Sequence, residues 1–275
     1  MPTISAVINT RNEENNIRYC LESVKWCDEI IVVDMESEDR TVAIAREYTA
    51  KIFTHKKILA FDVARKFAVE KATGDWVLLI DADELVPKEL SIMLRSISQK
   101  NEADAVMTPY KNFLLGAWNR YTGWWPDYHC RFFKKNMMNF TEQVHNFLHL
   151  NQSAKRLFMP AEERYAMHHF AYRDASQFID KMNRYTGIEA SHLYQNGSRF
   201  SCARMITGAV REFISRYIWL KGYKDGPRGL FVSIMMAMYR MLTLIKLWEL
   251  QEYPADGIRA QYDEMKKKII NEYQD

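Results

Sequence analysis

Cysteine is scarce in this sequence, with Cys20, Cys27, Cys130 and Cys202 as the only four among 275 residues and no close pair among them. That spacing excludes a disulfide scaffold and a tetrathiolate zinc site, and reduced, mostly buried thiols are expected. Glycine and proline are also sparse, at ten and seven, which excludes a collagen-like or low-complexity chain. No run of 18 uncharged apolar residues occurs, so no transmembrane helix is expected. The start, MPTISAVINTRNEE, lacks the basic opening and small-residue cleavage site of a signal peptide, and a cytoplasmic protein is expected. A net charge of +3 does not by itself call for a polyanion partner.

What is present is a large apolar fraction, 48% of residues, enough for a sizeable core. Charge is uneven: residues 1–154 hold 19 basic and 21 acidic side chains, whereas 173–248 hold 12 basic and 5 acidic. The net-negative first half argues against a nucleic-acid binder. The basic, aromatic, apolar last third suggests contact with an anionic surface.

The first hundred residues alternate between two periods. Short apolar runs at 4–8, 29–33, 51–53 and 76–80 read as buried strands. Segments 13–25, 39–48, 61–72 and 87–98 read as helices, with Ile17, Leu21 and Val24 on one face of the first. Such repeats predict a mainly parallel sheet covered on both faces. From 104 to 170 short strands at 105–108 and 130–133 alternate with aromatic-rich loops. Helices are expected near 175–195, 199–221, 227–250 and 257–273.

In open parallel sheets, ligands bind beyond the carboxyl ends of the strands. Three polar sets occupy that position: Thr10-Arg11-Asn12-Glu13, Asp34 to Asp39, and Asp81-Ala82-Asp83-Glu84. Asp81 and Asp83, two apart in an extended segment, point the same way and repel unless a cation lies between them. A hard divalent ion suits them, with a diphosphate as its second partner. An isolated Asp-x-Asp is more often a solvated turn; its place directly after a five-residue apolar strand favours the ion. Arg65-Lys66 on the preceding helix can hold phosphate oxygens or simply face solvent.

Taken in order, Thr10-Arg11-Asn12-Glu13-Glu14, Asp34 with Ser37 and Asp39-Arg40-Thr41, and Thr73-Gly74-Asp75-Trp76 leading into Asp81-Ala82-Asp83-Glu84 resemble family 2 glycosyltransferases. Further motifs, from Gly123-Trp124-Trp125-Pro126-Asp127-Tyr128 through Arg131-Phe132-Phe133-Lys134, Val144-His145 and His168-His169 to Gly222–Gly229, are similar to the branch that adds glucose to the lipopolysaccharide inner core.

The resemblance implies a GT-A fold, a Rossmann-like α/β sheet flanked by helices, over 1–170, with a nucleotide-sugar half at 1–100 and an acceptor half at 101–170. A helical region at 171–275 would follow. It implies an inverting, metal-dependent hexosyltransferase that moves glucose from a UDP-sugar to a lipid-linked saccharide, at the inner face of the cytoplasmic membrane. Thr10, Arg11, Glu13 and Asp34 would line the nucleoside pocket. Asp81 and Asp83 would hold Mg²⁺ or Mn²⁺ and the diphosphate.

A base must take the acceptor proton. Glu142 is the first choice for it and Asp127 the second. His145 is a metal ligand, a group that orients the base, or a structural histidine. Two positions depart from the branch: Asn146 stands where an acid is usual, and Ala64-Arg65-Lys66-Phe67 replaces Gln-Lys-Asn. Trp118, Trp124, Trp125 and Tyr128 are either sugar-stacking rings or a satellite core. The alternatives in other classes are a non-catalytic nucleotide-sugar binder and a nucleotidyltransferase. The latter is disfavoured because no glycine-rich loop follows the first strand.

Overall fold

A computed structural model describes residues 1–56, 61–139, 149–253 and 257–273. The chain forms two compact units, residues 1–120 with 124–171, and 121–123 with 172–275.

The first unit is built on a ten-stranded sheet. Its parallel half contains β1 (Ile4–Thr10), β2 (Glu29–Asp34), β3 (Ile52–Thr54) and β4 (Trp76–Asp81), in the order β3-β2-β1-β4. The helices between them are α1 (Ile17–Ser23), α2 (Thr41–Ala45) and α3 (Phe61–Lys71). After β5 (Glu84–Leu85) and α4 (Lys88–Lys100) the sheet becomes mixed. It is extended by β6 (Ala105–Leu114), β7 (Ala117–Trp118), β8 (Asp127–Lys134), β11 (Arg156–Phe158) and β12 (Met167–Tyr172). A separate two-stranded pair is made by β9 (Met138–Asn139) and β10 (His149–Leu150).

The central runs of β1, β2 and β4 are apolar and buried because both faces are covered there, whereas edge strand β3 is only half-buried. Ile4, Ala6, Ile8, Val32, Leu78 and Ile80 face one layer, packing with Ile17 and Leu21 of α1 and Leu90 and Leu94 of α4. Val7, Ile31, Val33, Val77 and Leu79 face the other, against Ala68, Val69 and Ala72 of α3. This is the period-2 division of a strand between two cores.

The first helix is shorter than the 13–25 span its pattern suggests. The Glu13 N–H donates to Thr41 Oγ1 (2.7 Å) and the Glu14 N–H to an Asp39 carboxylate oxygen (3.0 Å). Asn12 adopts φ 54°, in the left-handed region. Residues 11–16 are therefore held as a loop by the neighbouring loop, and local helix propensity yields.

At the opposite edge, Glu29 joins three segments. Its carboxylate accepts from Ser5, Lys51 and both the N–H (2.8 Å) and hydroxyl (2.9 Å) of Thr73. Burial alone would raise its pKa, but Lys51, Ser5 and Thr73 outweigh burial and hold it at about 2, against an ordinary 4.5. The unfolded chain therefore binds the proton more readily. This contribution is complete above the ordinary carboxylate pKa and is lost as pH falls toward about 2. We expect Glu29→Gln to cost roughly 2 kcal/mol at pH 7 and little near pH 2, read from urea unfolding at both pH values. A pH-independent difference would remove Glu29 from the acid response.

The second unit is helical: α5 (Ala175–Gln195), α6 (Cys202–Ile214), α7 (Pro227–Glu252) and α8 (Gly257–Asn271). Asp174 caps α5 by accepting from the Gln177 N–H at 2.8 Å, and Ser201 caps α6. A π-helical turn at Ser215–Trp219 prolongs α6. Gly229 lets α7 approach the turn at Gly222–Asp225, since a Cβ there would stand 1.8 Å from the Gly222 carbonyl oxygen. Helix α7 is long and apolar enough to cross a membrane by length and composition, at a mean hydropathy of 1.6, although the sequence holds no 18-residue uncharged run.

Candidate active site

The carboxyl ends of β1, β2 and β4 lie side by side. Thr10 is the register partner of Asp34, and Asn9 is the partner of Asp81. The loops beyond them are clasped together. The Asn12 N–H donates to Ser37 Oγ (2.9 Å), the Glu38 N–H to Asn12 Oδ1 (2.8 Å), and the Ser37 N–H to Asp34 Oδ2 (3.0 Å). Thr10 and Asp34 are almost fully buried. Yet Asn9 Oδ1 and Nδ2, Thr10 Oγ1, Arg11 Nε, Asp34 Oδ1 and Asp81 Oδ1 are buried with no hydrogen-bond partner among the described residues. Buried polar atoms are normally satisfied. Open donors and acceptors thus gather at the carboxyl ends of three strands, where an open parallel sheet can hold a polar ligand. Glu13 accepts from Asn16 Nδ2 at 2.7 Å.

Asp81 is held by two guanidiniums. Its Oδ2 accepts from Arg65 NH2 (2.7 Å) and Arg131 NH2 (2.9 Å). Arg131 also donates to Glu84 Oε1 (3.0 Å) and to the Tyr110 hydroxyl (2.9 Å). Glu84 Oε2 in turn accepts the Asp81 N–H at 3.0 Å, closing a ring. Burial opposes ionisation of Asp81, but Arg65 and Arg131 outweigh it and hold the carboxyl well below the usual range. Burial dominates at Glu84, which is 0% exposed, and pushes its pKa up. The ring fixes the Asp81 rotamer and leaves Oδ1 open.

The pair β12–β5 brings His169 opposite Glu84 and close to Asp83. One ring nitrogen of His169 lies 3.7 Å from Asp83 Oδ2, and the other lies 2.8 Å from Asn112 Oδ1. Burial disfavours the charged ring, but the Asp83 carboxylate outweighs burial and raises the His169 pKa. Asn112 donates to Asp127 Oδ2 at 3.3 Å, and His129 approaches the same oxygen at 3.1 Å. Asp83, His169, Asn112, Asp127 and His129 thus form one polar chain. Burial would raise the Asp127 pKa, but His129 and Asn112 outweigh it and hold the carboxyl below its ordinary range. His168, the next residue along, turns instead to the Phe113 ring at 5.6 Å, as strand alternation requires.

Lys66 is half-buried on α3, one residue beyond Arg65. Glu142 and His145 lie outside the described residues. Among the four aromatic candidates, Trp118 and Trp125 pack edge to face at 5.3 Å, with Lys111 over the Trp118 ring. Tyr128 donates to the Met159 carbonyl, and its ring meets the exposed Phe158 edge to face at 5.5 Å.

Sequence reasoning quoted Arg131 and Glu84 within motifs but gave them no role, and it did not name Tyr110 or Asn112. Arg131 falls where the β6–β8 register slips: Val106 pairs with Phe132, but Met107 pairs with Cys130. It is the extra residue of a β-bulge, a device that re-aims a side chain. The polar alternation Thr108, Tyr110, Asn112 along β6 was the available signal.

No three His, Cys, Asp or Glu side chains converge into a metal cage among the described residues. Mg²⁺ and Mn²⁺ sites of nucleotide enzymes use one or two carboxylates plus water and substrate phosphate rather than a full protein cage. The open Asp81 Oδ1, with Asp83 two residues on, fits that type of donor set.

Residues 5–158 match the model of the family described as glycosyl transferase family 2. The chain is 30% identical to an uncharacterized glycosyltransferase of Rickettsia conorii, over 95% of each chain. It is 23% identical to the lipopolysaccharide core biosynthesis glycosyltransferase LpsC of Rhizobium meliloti, over 90% of this chain and 92% of that one. Among solved structures, S. aureus TarS aligns with a TM-score of 0.47 at 15% identity, covering 91% of this chain and 55% of TarS.

Proposed function

The chain belongs to glycosyl transferase family 2, and from that premise we propose that it transfers a hexose, glucose in the first instance, from a UDP-sugar to a lipid-linked saccharide. The observation that carries the donor reading is the row of unsatisfied buried polar atoms from Asn9 to Asp81 across three strand ends. Thr10, Arg11, Glu13 and Asp34 are assigned to the nucleoside. Arg65, Lys66 and Asp81 are assigned to the diphosphate side. Likeness to a lipopolysaccharide core glycosyltransferase over nearly the whole chain supports a lipid-linked acceptor at the cytoplasmic face of a membrane.

A divalent ion on Asp81 and Asp83, with His145 as a further candidate ligand, would supply Lewis-acid stabilisation of the leaving diphosphate. The protein's own part is to orient. Arg131, itself held by Glu84, fixes the Asp81 carboxylate, and His169 lies against Asp83. In the proposed displacement the acceptor hydroxyl oxygen bonds to the anomeric carbon as the bond to the UDP oxygen breaks, with inversion. The acceptor proton passes to a carboxylate, Glu142 or Asp127.

Titration with UDP and UDP-glucose tests the reading. With Mn²⁺ we expect binding of both, weakened at least tenfold by chelator, and no such metal effect in Asp83→Ala. Folded protein that binds neither nucleotide would overturn the donor assignment. Binding of UDP-glucose without any turnover would point to the non-catalytic alternative.

A further inference from the structure

Helix α6 and its continuation expose an apolar stripe. Ile206, Val210 and Ile214 recur every four residues, Ile218 and Trp219 follow in the π turn and Leu220 just after it, with Trp219 66% exposed. Helix α7, which packs on α6, exposes a second stripe of Phe231, Ile234, Met238, Ile245 and Trp248. At 1.5 Å per residue that stripe is about 26 Å long. Two such stripes on helices that pack on each other differ from apolar residues exposed singly.

Around the α6 stripe and the α6–α7 turn the charge has one sign, whereas exposed Glu249 and Glu252 flank the far end of the α7 stripe. Arg199, Arg204, Arg211, Lys221 and Lys224 are exposed. The only acids between 199 and 248 are engaged within the unit: Glu212 pairs with Arg216 at 2.7 Å, and Asp225 accepts the Tyr121 N–H at 2.9 Å. Two of the three cations inside α7, Arg240 and Lys246, are turned toward neighbouring helices. Arg240 faces Glu189 and Glu212, and Lys246 donates to Asn183 and Thr186 of α5.

We propose that the exposed α6–α7 face, with Trp219 at its tip and Lys221 and Lys224 beside it, is a docking surface for an anionic lipid bilayer. Aliphatic and aromatic side chains enter the headgroup boundary while the basic rim meets lipid phosphate. Spanning the bilayer is disfavoured, since α7 packs on α5, which carries Asp180, Lys181, Arg184 and Glu189. The surface stands on these residues alone; its purpose, bringing the enzyme to a lipid-linked acceptor, rests on the proposed function.

The test is co-sedimentation of the full chain with phosphatidylglycerol-containing and pure phosphatidylcholine vesicles, with UDP binding measured in parallel. We expect preference for the anionic vesicles at low salt, weakened on the order of tenfold or more by high salt. Lys221→Glu with Lys224→Glu, and separately Ile218→Asp with Trp219→Asp, should each reduce binding at least tenfold and leave UDP affinity unchanged. Folded wild-type protein that ignores anionic vesicles, or variants that bind as well as wild type, would overturn the surface. So would a dimer in light scattering that Ile218→Asp with Trp219→Asp converts to monomer. Residue-dependent vesicle binding without UDP binding would keep the surface and remove the donor reading.

Discussion

Arg131→Met should destabilise the protein by about 3–5 kcal/mol, because it leaves the fully buried Glu84 carboxylate without its countercharge. The same change frees the Tyr110 hydroxyl and removes one of the two guanidiniums on Asp81. The comparison variant is Arg65→Met. Arg65 makes a shorter contact with Asp81, 2.7 Å, but both partners keep about a fifth of their side-chain surface in solvent. Water screens that pair, and its loss should cost on the order of 1 kcal/mol. Distance would rank the two arginines one way and burial ranks them the other; burial should win. Urea unfolding of the two variants decides it. A second check is the Arg131→Met, Glu84→Met double variant, which removes both buried charges and should recover part of the loss. If Arg131→Met costs less than Arg65→Met, the ring around Glu84 is not the structural centre of the site.

The parallel half of the sheet was readable because its strands are buried on both faces, and continuous apolar runs such as Trp76–Ile80 cannot be satisfied elsewhere. The polar sets at their carboxyl ends followed from the same logic. The helices of the second unit were equally clear, since Gly226-Pro227 and the cap residues Asp174 and Ser201 mark their starts. The network behind Asp81 was hidden for a different reason. Glu84 reads as part of an acidic turn, yet it is fully buried because Arg131 reaches it from a strand 47 residues away. That reach depends on a bulge, and no local pattern announces one. His169 shows the same limit. Its alternation with His168 was legible, but which of the two meets Asp83 depends on the β12–β5 register.

Glu142→Gln should lower the turnover of UDP-glucose with a lipid-linked core saccharide by 10²–10⁴-fold, a range typical of losing a general base, with little change in UDP affinity. Asp127→Asn should lose less, about tenfold, because its neighbours weaken it as a base. A base works best with a pKa near the working pH. Asp127 is held below its ordinary range by His129 at 3.1 Å and Asn112 at 3.3 Å, so it is ionised but reluctant to take a proton. Its geometry suits a positioning role instead. Through Asn112 and His169 it reaches Asp83, so its loss should disturb metal-dependent donor binding as well as turnover. The two variants therefore separate on two axes: Glu142→Gln in kcat alone, Asp127→Asn in both kcat and the metal dependence of UDP binding. Steady-state kinetics at saturating donor, paired with UDP titrations with Mn²⁺ and with chelator, read both. If Asp127→Asn gives the larger kcat loss with unchanged donor binding, the proton goes to Asp127 and the assignment of Glu142 falls.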